Sequence, residues 1–157
     1  ASKLPIPIKI AGEGDLSQEL RELAQEEGVE DRVEFLGFIE PKQLKSLTKT
    51  AFLGYNLLEN KGLSYYYSLA NKFFDYAHAG VPCLNSEFPE YLNFQAKYDL
   101  SVICRLAKND IIAAVNTIMT DSAQYQSLQE NCLKAAKELN WEKESQHLVH
   151  LIHRVVE

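Results

Sequence analysis

Two rhythms of apolar residues run along this chain. Short apolar runs at 6–11, 33–38, 50–58, 81–85 and 100–104 read as β-strands. The run at 50–58 is hydrophobic along its length, as a central buried strand should be. Between the runs, apolar residues return every three or four positions, the spacing of a helix with one buried face. Leu16, Leu20, Leu23 and Ala24 make one such face, ending near Gly28, and Pro41 suits the first turn of a small helix carrying Leu44 and Leu47. Leu69, Phe73, Tyr76 and Ala77 mark a third helix, which Asn71 can cap. Gly80 suits the left-handed position after its last turn, and Pro82 stops it from resuming. Residues 89–98 predict a helical turn or two. Asp110 caps a helix bearing Ile111, Ile112, Val115 and Ile118, and Asp121 or Ser122 starts another that runs to about Leu139. Trp141 opens the last helix, with Leu148, Leu151, Ile152 and Val155 inward. Strands alternating with helices at these intervals imply right-handed βαβ crossovers and a parallel sheet covered on both faces. The fold class is α/β, doubly wound, with a helical C-terminal region and no internal repeat or linker.

In such sheets ligands bind outside the carboxyl ends of the strands. The loops there are 12–15, 37–40, 59–70 and 85–90, and the helix that begins near Asn71 starts directly after one of them. Its polar side carries Asn71, Asp75 and His78, with Lys72 beside them. A helix N-terminus next to a lysine, with a carboxylate one turn further in, suits a phosphate with a hydroxylated sugar beside it. An amphipathic helix whose polar side is merely solvated fits the same pattern.

Composition narrows the field. The 157 residues are enough for one domain with a single core, and 46% hydrophobic with 24% charged residues is ordinary for a globular protein. A net charge of −6 argues against a general nucleic-acid surface, so any phosphate is held locally by amides and one or two cations. No apolar run approaches the ~18 residues of a membrane helix, and no secretory signal opens the chain. The first residue is not methionine, which suggests a fragment or a processed product. Cys83, Cys104 and Cys132 are odd in number and lack metal-type spacing, which suits a reducing cytoplasm; Cys83 and Cys104 lie in apolar runs and read as small buried hydrophobes.

Other candidates are weaker. Gly12-Glu-Gly14 follows a strand and opens a helix, but Glu19, Leu20 and Arg21 stand where a dinucleotide fingerprint needs its third glycine. His147, His150 and His153 are spaced by three, so the outer pair diverges by roughly 120° around a helix and the three cannot face one metal. No serine, cysteine or histidine arrangement suggests a nucleophile with its base. Tyr65, Tyr66 and Tyr67 suit stacking on a base or sugar, or an ordered surface loop.

The order of these motifs resembles the C-terminal, donor-binding half of family 4 glycosyltransferases, which have the Rossmann-like glycosyltransferase-B fold. The resemblance begins at Ile8-Lys-Ile-Ala-Gly-Glu-Gly-Asp15 and continues through Val33-Glu-Phe-Leu-Gly-Phe-Ile39. Its specific stretch is Asn71-Lys-Phe-Phe-Asp-Tyr-Ala-His-Ala-Gly-Val-Pro82, and it closes at Trp141-Glu-Lys-Glu144. It implies that Asp75 binds the ribose hydroxyls, for which a carboxylate has the acceptor capacity. It implies that Leu69, Ala70 and Asn71 hold the donor diphosphate with Lys72 as an added cation, and that Phe38 and Ile39 pass the nucleotide base. Tyr67 stands where the family has an acid contacting the donor sugar, so sugar specificity does not carry over. The resemblance further implies one half of a hexosyltransferase that uses a UDP- or GDP-sugar in glycan or polysaccharide synthesis, without cofactor or metal. A complete enzyme adds an N-terminal acceptor domain, absent here, so the isolated domain should bind donor without transferring sugar. The implied setting is cytoplasmic, with membrane contact at the inner face only through the absent half. The rival readings are a non-catalytic interaction module of the same fold and half of a sugar-nucleotide epimerase.

Overall fold

The computed structural model describes residues 6–156. Strand β1 (Ile8–Ala11) leads through helix α1 (Ser17–Glu26) and a 3-10 turn (Glu30–Arg32) to β2 (Val33–Gly37) and α2 (Pro41–Thr48). Then come β3 (Gly54–Asn56), α3 (Leu63–Tyr66), α4 (Asn71–Ala79), β4 (Cys83–Ser86), α5 (Pro89–Tyr98) and β5 (Ser101–Cys104). Helices α6 (Lys108–Thr120), α7 (Ser122–Ala136) and α8 (Trp141–Val156) close the chain. Every strand pairing among the described residues is parallel, as helical crossovers require.

The strands form two sheets rather than one. β1 pairs with β2, and β4 lies between β3 and β5 in a second sheet. The long apolar run at 50–58 is therefore an edge strand of three residues, and β4, buried at all four positions, takes the centre. The ends of that run are drawn elsewhere. The amides of Thr50 and Ala51 donate to Leu47 and Thr48 of α2, and the amide of Leu58 donates to the Ser86 hydroxyl at 2.6 Å.

Helices cover both faces of the second sheet. On one, Phe73 of α4, Tyr91 of α5 and Cys132 and Ala135 of α7 pack with Cys83 and Leu100. The Phe73 ring lies 5.6 Å from Tyr91 and 5.4 Å from Phe94. On the other face, Val115 of α6 meets Leu53, Leu84 and Cys104. Gly54 permits the close seating of α4, since a Cβ there would stand 2.5 Å from ring carbons of Tyr76.

Several ends and faces differ from the sequence reading. α5 is a full ten-residue helix rather than a turn or two, started by Pro89 and stopped by Asp99 in the left-handed conformation (φ 47°). α6 is already helical at Lys108, so Asp110 does not cap it; its carboxylate instead meets Arg105 at 2.8 Å. Asp121 does cap α7, accepting from the Gln124 amide at 2.8 Å, and α7 ends at Ala136. The apolar faces of α1 and α8 are the clearest corrections. Leu16, Leu20 and Leu23 are exposed and only Ala24 of α1 is buried, while Leu148, Leu151, Ile152 and Val155 of α8 face solvent rather than inward. Periodicity shows that a helix has an apolar stripe; it does not supply the surface that covers it.

Candidate functional site

β4 and α5 build the carboxyl edge of the second sheet. Asn85 sits directly opposite Asn56 of β3, and the Asn56 amide donates to the Asn85 carbonyl oxygen at 2.8 Å. Both side chains are fully buried, and Asn56 Oδ1 and Asn85 Nδ2 have no partner among the described residues. One residue on, the Ser86 hydroxyl accepts from the Leu58 amide and donates to the Leu58 carbonyl at 2.8 Å. The Tyr91 phenol accepts from the Ala70 amide at 3.0 Å. The connection from β3 to α4 is thus held at both ends by the following strand and helix.

That connection is polar and aromatic. Glu59 pairs with Lys61 at 2.9 Å on the surface. The Tyr66 ring packs 5.4 Å from Phe88 and meets Tyr67 edge-on at 5.0 Å. Tyr67 keeps 58% of its surface exposed, and Tyr65 is also exposed.

α4 begins where this connection ends. Ala70 is extended (φ −73°, ψ 139°) and is the N-cap, so Asn71 is the first helical residue and its side chain makes no capping bond. This corrects the expected cap: the cap side chain must precede the first helical residue to reach the amides beyond it. Of the four residues assigned to a diphosphate, Ala70 has its amide engaged by Tyr91. The amides of Leu69, Asn71 and Lys72 donate to no group among the described residues. The Lys72 and Asp75 side chains are exposed and form no ion pair among them. Gly80 ends the helix in the left-handed conformation (φ 71°), as its sequence context predicts. His78, in the last turn, meets the Leu139 carbonyl at 2.6 Å and ties α4 to the turn between α7 and α8.

Phe38 and Ile39 lie at the carboxyl edge of the first sheet, just beyond Gly37 (φ 64°). Phe38 is 75% exposed and Ile39 is half-buried. A groove of about 360 Å³ lies elsewhere, between α1 and the first sheet, lined by Ile8, Ile10, Leu20, Leu23, Val33 and Phe35. Its lining is mostly apolar, with Glu27 and Lys108 as its charged members.

The three cysteines are free and buried. Burial pushes the Cys83 and Cys132 thiols up to about 12 and raises Cys104, so none is an activated nucleophile at neutral pH. His147, His150 and His153 are all exposed on α8. No helix among the described residues is long and apolar enough to cross a membrane.

The sequence reading missed Tyr91, Ser86 and the two asparagines. The asparagines carried a faint signal, being amides inside otherwise apolar runs. Tyr91 carried none, because its bond to Ala70 exists only once α5 is folded against α4.

The comparisons with known proteins agree with this architecture. The profile described as Glycosyl transferases group 1 matches residues 2–139. No curated protein matches the chain. Among solved structures, sucrose-phosphate synthase from Thermosynechococcus elongatus superposes with a TM-score of 0.82 at 19% identity, over 99% of this chain and 40% of that one. HepE from Anabaena, in complex with UDP-glucose, gives 0.83 at 15% identity, over 98% of this chain and 43% of that one. The C-terminal domain of LpcC, a glycosyl transferase group 1 family protein from Francisella tularensis, gives 0.63 at 10% identity, over 80% and 62%. At such identities the likeness is one of fold. The chain spans about two fifths of the length of the first two.

Proposed function

Since this chain belongs to the group 1 glycosyl transferases, we propose that it holds the nucleotide of a UDP- or GDP-sugar donor at the N-terminus of α4. The observation that carries this reading is the set of unpartnered amides at Leu69, Asn71 and Lys72, one turn ahead of Asp75, at the carboxyl edge of a parallel sheet. Amides at a helix N-terminus point along a positive dipole end, which favours a diphosphate, and the Lys72 ammonium adds a cation beside it. Asp75, an exposed acceptor on the same helix, takes the ribose hydroxyls, and Phe38 with Ile39 passes the base.

The contribution to transfer is electrostatic. As the bond from sugar to phosphate breaks, negative charge grows on the departing diphosphate, and donors already oriented toward it stabilise that charge without reorganising. In this reading no side chain of the site forms a covalent bond and no metal is invoked. A second polypeptide portion would bring the acceptor. Hexosyl transfer in glycan or polysaccharide synthesis at the cytoplasmic side is the finer form of the proposal, and the resemblance in the motif at 71–82 supports it.

Thermal unfolding with UDP, GDP and ADP at millimolar concentration tests the reading. A nucleotide at ~100 times its dissociation constant adds about 2.7 kcal/mol, a rise of several degrees in Tm for a domain of this size. A selective rise is expected with UDP or GDP, and Asp75→Ala should weaken that nucleotide roughly tenfold, the worth of a charge-assisted hydrogen bond. Equal affinity in Asp75→Ala would remove the ribose assignment. No shift with any nucleotide would favour an interaction module using the exposed Tyr65 and Tyr67.

A further inference from the structure

We propose that Tyr91 is a positioning residue for the anion site, setting which amides of α4 are presented to the ligand. The inference rests on the donor-site reading above and adds to it a residue that lies outside the motif at 71–82. Tyr91 is fully buried in α5, with its ring 5.6 Å from Phe73 of α4. Its phenol oxygen takes the Ala70 amide at 3.0 Å. Ala70 is the N-cap, so this bond fixes the point at which the extended chain turns helical. With that amide occupied, the first helical amides left for a ligand are those of Asn71 and Lys72.

The bond does not act alone. Ser86 grips both the amide and the carbonyl of Leu58, and Phe88 seats the Tyr66 ring. Within six residues, the segment from Ser86 to Tyr91 therefore holds the start, the middle and the end of the connection leading into α4. A connection this long would otherwise sample many conformations, and ordering it only on ligand binding would weaken affinity. The ties do that ordering in advance. Their effect is specific to the diphosphate, because they orient main-chain donors and touch no part of a base or ribose.

Tyr91→Phe keeps the ring in its packing and removes only the oxygen. UDP and uridine binding by this variant and the wild type, followed by ligand-detected NMR well below the melting temperature, gives the test. Positioning predicts that UDP affinity falls roughly tenfold, as loss of one well-placed hydrogen bond would produce, while uridine affinity is unchanged. Ser86→Ala, a small change at the other end of the connection, should lower the UDP-to-uridine ratio in the same direction, and it carries the test if Tyr91→Phe does not fold. A lowered Tm with an unchanged ratio would show a merely structural phenol and overturn the inference. So would tighter UDP binding, which would mean that the freed Ala70 amide serves the anion better than Tyr91 does. If the wild type binds GDP and not UDP, GDP and guanosine take the place of UDP and uridine in the same comparison. Binding of neither nucleotide would overturn the donor-site reading itself, and this inference with it.

Discussion

Cys83 and Cys132 have thiols held protonated by burial, pushed from an ordinary 9.0 to about 12. In the unfolded chain they ionise near the ordinary value, so above it the unfolded state sheds protons that the folded state keeps. Stability is therefore intact below about pH 9 and falls as pH rises toward 12. Urea unfolding at about pH 8 and pH 10.5 should show a lower midpoint at the higher pH, and Cys132→Ala should flatten the difference. A midpoint equally sensitive to pH in that variant would assign the loss to other groups. The amide pair at Asn56 and Asn85 poses the opposite case, polar groups buried at the cost of one acceptor and one donor without a partner among the described residues. At this scale the sequence told part of the story. Lys72, Asp75 and Gly80 occupy the places their spacing implies, because a helix and its stop are local. The cap at Ala70 was not legible, since a phenol twenty-one residues away helps to define it.

Helix α4 shows how one residue type sets the seating of an element. Nothing in the run at 50–58 distinguishes Gly54 from an ordinary flexible position, yet it lies under the Tyr76 ring where a Cβ would come within 2.5 Å. The Gly54→Ala variant should lose about 1–3 kcal/mol, the usual cost of overpacking, measured by chemical denaturation. Adding Tyr76→Leu should recover part of that loss by removing the ring, whereas simple addition of the two losses would mean that they do not share the contact. The positions of helices were legible from apolar spacing, and even α5 fell within its expected span. Their burial was not. α1 and α8 show stripes as regular as those of buried helices, yet Leu20, Leu23, Leu148 and Ile152 face solvent. The stripe is a property of one element, while burial is a property of two.

For the molecule as a whole, alternation of strand and helix predicted parallel pairing correctly, because a helical crossover returns the chain in the same direction. Alternation does not contain strand order, which depends on which edges meet across the chain. The run at 50–58 was read as central for its apolar character, but β4, with a partner on each side and helices on both faces, holds that place. The division into two sheets has a further consequence. No ladder bond of β1 and β2 is shared with β3, β4 or β5, so separating the first pair breaks no bond of the second sheet. Regions joined this loosely open as separate cooperative units under native conditions. Deuterium should therefore enter the amides of 8–11 and 33–37 well before those of 83–86, in a native exchange experiment read by mass spectrometry. A common rate for both would mean that the two sheets open as one.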